Sequence, residues 1–262
     1  MGSLAGKSPA NTYKSLLKVA DETNGVTSSV SQIEDGQGQA TALQVSNNKL
    51  KIKPTTNDNA NTLLVERENG DDLFAVDTTN SLVKVGTSQV SATTQLLTFS
   101  AYRLVPSAAG THMFVPVSGI SEFAVHAQEA NNGTGTDPNT SVDKGATTDE
   151  LVNMLFNVPF NITIDAVKVF VSTDQDTDTT INVHLNSFDM VADGTTNDGN
   201  LSNGTVLADG QATSVDRNVL KSIDMTIQSS SVTSGKVIAC FVENETNTDD
   251  INIQVQVKYH IA

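Results

Sequence analysis

The residues able to carry chemistry are few. Four histidines (His112, His126, His184 and His260) and one cysteine (Cys240) are all the bases of that type and soft metal ligands that this 262-residue chain offers. A hydrolytic triad needs a nucleophile, a base and an orienting acid that converge in a pocket. None of the four histidines sits in a recognisable motif. His184 and His260 fall in alternating, strand-like stretches, where a histidine at a rim or interface is expected, and His112 and His126 carry little more signal. Zinc would require clustered Cys and His, and these residues give no pair at finger spacing. Cys240 lies within the apolar run Val237, Ile238, Ala239, Cys240, Phe241, Val242. It reads as a small buried hydrophobe without an intrachain disulfide partner.

The carboxylates are more numerous and less informative. Asp174, Asp176 and Asp178 alternate along one stretch, as the oxygen ligands of calcium loops do, but an EF-hand would need Gly and an acidic residue where Thr179 and Leu185 stand. A solvated turn is the favoured reading, with Ca2+ near these three residues as the alternative, and the same discount covers Asp193, Asp198, Asp249 and Asp250. Thirty acids guarantee close pairs in any fold, so a pair fit for glycoside cleavage cannot be picked out by counting. Spikes that cleave polysaccharides stack sugars on aromatic platforms, and this chain has no Trp and only Tyr13, Tyr102 and Tyr259. No catalytic or cofactor-binding residue is assigned, and the expectation is a protein that is not an enzyme. The Asn-x-Thr triplets at Asn132, Asn161, Asn203 and Asn244 are read as products of composition.

Charge narrows the partners. Asp and Glu outnumber Lys and Arg by 30 to 15, giving a formal charge of −15 that repels phosphate backbones and anionic membrane surfaces. Nucleic acid is not expected as a partner. Nor is membrane insertion, because no apolar stretch approaches the roughly 20 residues that a bilayer span needs. Residues 1–14 lack the apolar core of a signal peptide, and Gly6 stands where a myristoylation signal needs Ser or Thr.

The elements that position these residues are almost all strands. One short helix is predicted over Asn11–Val19, from Tyr13, Leu16, Leu17 and Ala20 at three- and four-residue spacing after Ser8-Pro9. A second candidate, Thr147–Leu155, reads equally as a loop entering a strand. From Thr41 to Val85 a theme repeats: an alternating strand, a polar turn, another alternating strand. Such thin hairpins bury too little alone to offset chain entropy. The prediction is a shaft or pedestal over 41–95, shared by three chains, with Leu43, Val45, Ile52, Leu64, Phe74, Val76 and Val85 facing the axis. Lys49, Lys51, Glu66, Glu68 and Asp77 are expected in water.

Beyond residue 95 the strands become longer and more apolar. About nine are expected, ending with Ile251–Ile261, where Ile251, Ile253, Val255, Val257, Tyr259 and Ile261 alternate strictly with polar residues. With long polar loops at Glu129–Thr148 and Val191–Ser214, residues 96–262 fit an antiparallel, jelly-roll-like β-sandwich, and nothing suggests a parallel sheet. The fold class is all-β: a short N-terminal helix, a thin hairpin shaft and this sandwich.

A resemblance adds a function to this outline. Ser8-Pro9-Ala10-Asn11-Thr12-Tyr13-Lys14-Ser15-Leu16-Leu17, Ile33-Glu34-Asp35-Gly36-Gln37-Gly38 and Thr41-Ala42-Leu43-Gln44-Val45-Ser46, over residues 7–54, resemble fibre-type structural proteins of phages. Leu73-Phe74-Ala75-Val76-Asp77 and Val83-Lys84-Val85-Gly86 are similar to shaft repeats of tail fibres. The resemblance implies a homotrimer that is made in the host cytoplasm and resides in the virion of a tailed phage. Residues 1–40 would dock through Tyr13, Leu16 and Leu17 on other virion proteins of capsid or tail, and the sandwich would face outward for host attachment to a surface glycan or protein. The alternatives are a trimeric capsid decoration (cement) protein, a free carbohydrate-binding module or adhesin, and, least favoured, a polysaccharide-degrading spike.

Overall fold

The computed structural model of the chain describes residues 16–21, 23–88, 90–117, 120–123, 132–144, 151–192 and 199–262. It divides into two compact units, Met1–Ala92 and Thr93–Ala262. Among the described residues there is no α-helix; the protein is all-β.

The first unit holds two small antiparallel sheets. Strands β1 (Lys18–Val19), β2 (Ser31–Glu34), β3 (Ala40–Ser46) and β4 (Lys49–Ile52) pair in chain order, and so do β5 (Leu63–Glu66), β6 (Asp72–Asp77), β7 (Leu82–Val85) and β8 (Val90–Ser91). The two hairpins legible in the sequence are β3–β4, turning at Asn47-Asn48 with Leu43 opposite Ile52, and β6–β7, turning near Asn80 with Phe74 opposite Val85. The helix expected over Asn11–Val19 is corrected over Leu16–Val19, and residues 11–15 lie outside the described residues. Leu16 and Leu17 are exposed and non-helical, and Lys18 and Val19 pair with Glu34 and Ile33 as a strand. A helix of two or three turns is marginal by itself, whereas a neighbouring strand offers its backbone groups immediate partners. Tyr13 lies outside the described residues.

Asp77 is the second correction in this unit. Expected in water, it is buried, with one carboxylate oxygen on Lys84 Nζ at 2.6 Å and the other accepting the Asn80 backbone N–H at 3.0 Å. The cause is turn chemistry: a short acid before a tight turn satisfies the turn's free amides. The Lys84 ammonium and the Asn80 donors hold this carboxyl well below the ordinary carboxylate range. Apolar burial is scant here. Among the described residues of the unit, Ala75 is the only buried hydrophobic residue, while Leu43, Leu50, Val65, Leu73, Val83, Val85 and Val90 are exposed.

The second unit is a β-sandwich of two six-stranded sheets. Its strands are β9 (Thr94–Leu104), β10 (His112–Val115), β11 (Ile120–Phe123), β12 (Leu155–Asn157), β13 (Ile162–Thr173), β14 (Thr179–Met190), β15 (Leu201–Val215), β16 (Lys221–Asp224), β17 (Thr226–Ile227), β18 (Ser231–Val232), β19 (Val237–Asn244) and β20 (Ile251–Ile261). One sheet runs β10-β19-β14-β15-β17, with β12 also on β19; the other runs β11-β9-β20-β13-β16, with β18 also on β13. Pairing is antiparallel throughout, apart from the parallel pair β11–β9, which sequence patterning did not signal.

Side chains from the facing surfaces of both sheets, among them Phe99, Ile164, Val169, Ile181, Leu185, Leu207, Cys240 and Val255, form the main core. The alternation read along β20 holds: Ile251, Ile253, Val255, Val257 and Tyr259 are buried between polar neighbours. Cys240 is buried among these apolar side chains, and desolvation pushes its thiol far above the ordinary range, so it behaves as the small hydrophobe expected.

One correction concerns a loop. The stretch Val191–Ser214, read as a polar loop, contains all but the last residue of the 15-residue strand β15. Its turn-like residues serve as irregularities inside a ladder: the β14–β15 register shifts near both ends, where Asn203 and Ser214 take positive φ of 52° and 50°. Gly204 allows close approach, because a Cβ there would lie 2.5 Å from the Phe188 ring and 2.8 Å from Thr140 Cα. Of the second candidate, Thr147–Leu155, residues 147–150 lie outside the described residues, and residues 151–154 form a 3-10 residue and a turn that enter β12, in line with the loop-into-strand alternative.

The strand β19 is buried over all eight of its residues. Ile238, Cys240 and Val242 point into the main core, while Val237, Ala239 and Phe241 point to the opposite surface of the sheet and join Phe114, Val142, Leu151, Met154, Phe188 and Leu201 in a second core. Part of its cover comes from residues 132–144, within the loop expected over Glu129–Thr148. Val142 bridges to Leu201, and the Gly204 N–H donates to Thr140 O at 2.8 Å.

Candidate functional site

The site grows out of β19. Glu243 is opposite His112 on β10 and opposite Asn182 on β14, and His184 stands two residues further along β14, opposite Phe241. Since side chains alternate across a strand, His112, Asn182, His184 and Glu243 all emerge on the outer surface, beyond the end of the second core. Asp209 and Gln211, opposite His184 and Asn182 on β15, extend the same surface. Asn182, His184, Asp209, Gln211 and Glu243 floor a cleft of about 700 Å³ walled by Gly110 and by residues Thr134, Gly135, Thr136 and Asp137 of the covering loop, while His112 is buried and does not line it.

A polar ladder fixes the floor. Gln211 Nε2 donates to Asn182 Oδ1 at 2.8 Å, and Asn182 Nδ2 donates to Glu243 Oε2 at 3.0 Å. His112 is wholly buried, and its Nδ1 lies 3.1 Å from Gly133 O. A carbonyl only accepts, so Nδ1 carries the proton and the lone pair of the neutral ring is on Nε2. That Nε2 is 3.6 Å from Glu243 Oε2, beyond hydrogen-bonding range, and has no other partner. His184 is 5% exposed; its Nδ1 is 3.8 Å from Asp137 Oδ1, and neither ring nitrogen makes a hydrogen bond. The two imidazole centroids are 5.1 Å apart.

Burial disfavours the charged form of both rings. It lowers His112, and it lowers His184 to about 4, helped by the neighbouring His112. Two neutral imidazoles thus face a carboxylate. Among the described residues, His112, His184 and Glu243 form the group whose nitrogen and oxygen atoms, all within 4.8 Å of one another, could hold a metal ion.

The remaining residues named from sequence are dispersed. His260 Nδ1 on β20 lies 2.8 Å from Asp165 Oδ1, a half-buried hydrogen-bonded contact away from the cleft, and His126 lies outside the described residues. Asp174 accepts the Asp250 backbone N–H at 3.0 Å, Asp176 engages Arg217 Nη2 at 2.6 Å, and Asp178 is exposed. Asp249 is raised by burial, and Asp250 pairs with Arg103 at 3.1 Å; Asp193 and Asp198 lie outside the described residues. Of the triplet asparagines, Asn132 and Asn244 are buried. Of the shaft residues, Leu43 and Val85 are exposed, and Val45, Ile52, Leu64, Phe74 and Val76 are half-buried. Among the described residues no helix is long and apolar enough to cross a membrane.

Glu243 and Asn182 escaped sequence reasoning. The apolar run ends at Val242, and the acid that follows it belongs to no motif. The signal was its parity: Glu243 shares a side of the strand with Phe241 and Ala239, and an acid in phase with buried residues is one that the fold must answer.

No family model and no curated protein matches the chain. Among solved structures, it is similar to the N-terminal endo-1,4-beta-D-xylanase 10B of Clostridium thermocellum (CBM22-1-GH10 modules with xylohexaose), at 15% identity and a TM-score of 0.24. That similarity covers 40% of this chain and 17% of the xylanase. It is also similar to the T13 IBDV viral particle, at 6% identity and a TM-score of 0.16, over 68% of this chain and 42% of that one. The chain therefore spans well under half the length of either structure.

Proposed function

We propose that the protein is a non-enzymatic structural component of a tailed phage virion, a homotrimer of the fibre or spike type. In this reading its N-terminal unit docks on other virion proteins, and its C-terminal sandwich, jelly-roll-like in its connections, faces the host surface to bind a glycan or protein. The carrying observation is the scant core of the first unit: among its described residues, two four-stranded sheets, one buried hydrophobic side chain, and a series of exposed Leu and Val. Sheets that thin do not offset chain entropy alone. Neighbouring copies would supply the missing surface, with Leu43, Val45, Ile52, Phe74, Val76 and Val85 as the shared contacts. The cleft of the second unit, walled by a loop on a rigid sheet, has the form that a binding site on a displayed domain takes.

Light scattering on the purified chain tests this. A mass of three times 27.6 kDa is expected. A stable, soluble monomer would overturn the shared core and leave a free binding module as the better account. The same trimer also suits a capsid decoration protein, and copy number separates the two: hundreds of chains per particle for decoration, a few dozen for a fibre.

A further inference from the structure

We propose that His112, His184 and Glu243 form a binding site for one divalent transition-metal ion, with zinc as the favoured occupant and an open coordination position facing the cleft. The inference is independent of the oligomeric state and of the virion reading. All three side chains are at least nine-tenths buried, and the ligand-capable nitrogens, His112 Nε2 and both nitrogens of His184, make no hydrogen bond. Buried polar atoms without partners are rare, and each calls for an ordered water or an ion to answer it.

Geometry favours the ion. Ligand bonds of about 2.0–2.1 Å at the tetrahedral angle put neighbouring ligand atoms about 3.3–3.4 Å apart. His112 Nε2 and Glu243 Oε2 are separated by 3.6 Å, too far for a hydrogen bond and close to that spacing. The surroundings are those of a ligand set. His112 gives its other nitrogen's proton to Gly133 O, which fixes the ring and leaves Nε2 as the donor atom, and Glu243 is oriented by the Asn182 amide. Two imidazoles and one carboxylate suit zinc and its transition-metal neighbours, whereas calcium and magnesium take oxygen ligands. Three protein ligands leave a fourth position, and the cleft lies on that side of His184 and Glu243. An oxygen donor, a water or a carboxylate or hydroxyl of a bound ligand, would fill it.

The test uses the full chain, stripped with a chelator and titrated with ZnCl2 by calorimetry. The wild type should take one Zn2+ per chain. Glu243→Gln and His184→Gln should each weaken binding by about 100-fold or more, since loss of an outer-shell partner alone costs about 10–100-fold. His260→Gln, which removes a half-buried histidine hydrogen-bonded to Asp165 on the other sheet, should bind as the wild type does. X-ray absorption at the zinc edge of the wild type should show two imidazoles at about 2.0–2.1 Å. That measurement decides the matter even if both site variants fail to fold. No binding by the folded wild type, binding unchanged in both site variants, or fewer than two imidazoles at the ion would each overturn the site.

Discussion

Replacing Gly204 with alanine tests how the covering loop is seated on the sandwich. The backbone at Gly204 does not require glycine, because its φ is not positive, so by conformational entropy alone alanine would stabilise the chain by about 0.4–1 kcal/mol. The surroundings reverse the sign. The new methyl would lie 2.5 Å from a ring carbon of Phe188 and 2.8 Å from Thr140 Cα, where carbon atoms settle at about 3.5–4.0 Å. One side must therefore yield by about 1 Å. Phe188 is fully buried and packs at 6.0 Å on Phe241, and Thr140 is held by its carbonyl, which accepts the Gly204 N–H at 2.8 Å. Overpacking of this kind costs about 1–3 kcal/mol, which for a domain of this size lowers the melting temperature by about 2–4 °C per kcal/mol. Thermal melting of Gly204→Ala beside Gly135→Ala is the assay. At Gly135 a Cβ meets nothing closer than Asp137 O at 4.0 Å, so that variant should melt like the wild type. If Gly204→Ala is neutral or stabilising, the loop does not sit on β15 as described.

Other outcomes follow from the same structure. Phe241→Ala empties the middle of the second core, where the ring lies 4.5 Å from Phe114, and should cost about 3–5 kcal/mol in chemical denaturation. Asp77→Asn should weaken the first unit at neutral pH. The folded carboxyl lies below its ordinary value of 3.8, so on acidification the unfolded chain takes up the proton first. Its contribution is complete above about pH 4 and fades below, and the wild-type and Asp77→Asn unfolding midpoints should converge in acid. Phe74→Asp or Val76→Asp should abolish the proposed trimer, because three unpaired charges would meet at the shared contact; a correctly sized trimer of either variant in light scattering would remove these residues from it.

Much of the sandwich was legible because its strands follow period-two patterning. In β20 every inward residue is apolar, and the strand lies where the alternation placed it. Cys240 was legible for the same reason. The strand β15 was not, because Asn203, Gly204, Gly210 and Ser214 carry the chemistry of turns, and only the β14 partner shows that they serve bulges and close contacts. The helix expected near Leu16 failed since periodicity over so few residues cannot compete with an available strand edge. The candidate site was the least legible part. His112 and His184 are distant in sequence and meet only because β19 pairs with both of their strands, and Glu243 is informative only once its side of that strand is known.

The double burial of β19 also bears on how the molecule opens. Its eight residues have β14 along one edge and β10 and β12 along the other, with apolar side chains above and below. No solvent reaches its amides without separating two ladders and two cores, so in hydrogen exchange they should be the last of the second unit to exchange, at the rate of global unfolding. Glu243 is carried on this slowest-opening segment, whereas Asp137 stands on the loop across the cleft. The floor of the cleft thus moves only when the whole unit unfolds, and its rim is pinned to that floor where Gly133 O accepts the His112 backbone N–H at 3.1 Å and Thr140 O accepts the Gly204 N–H, so an occupant would meet a preformed surface.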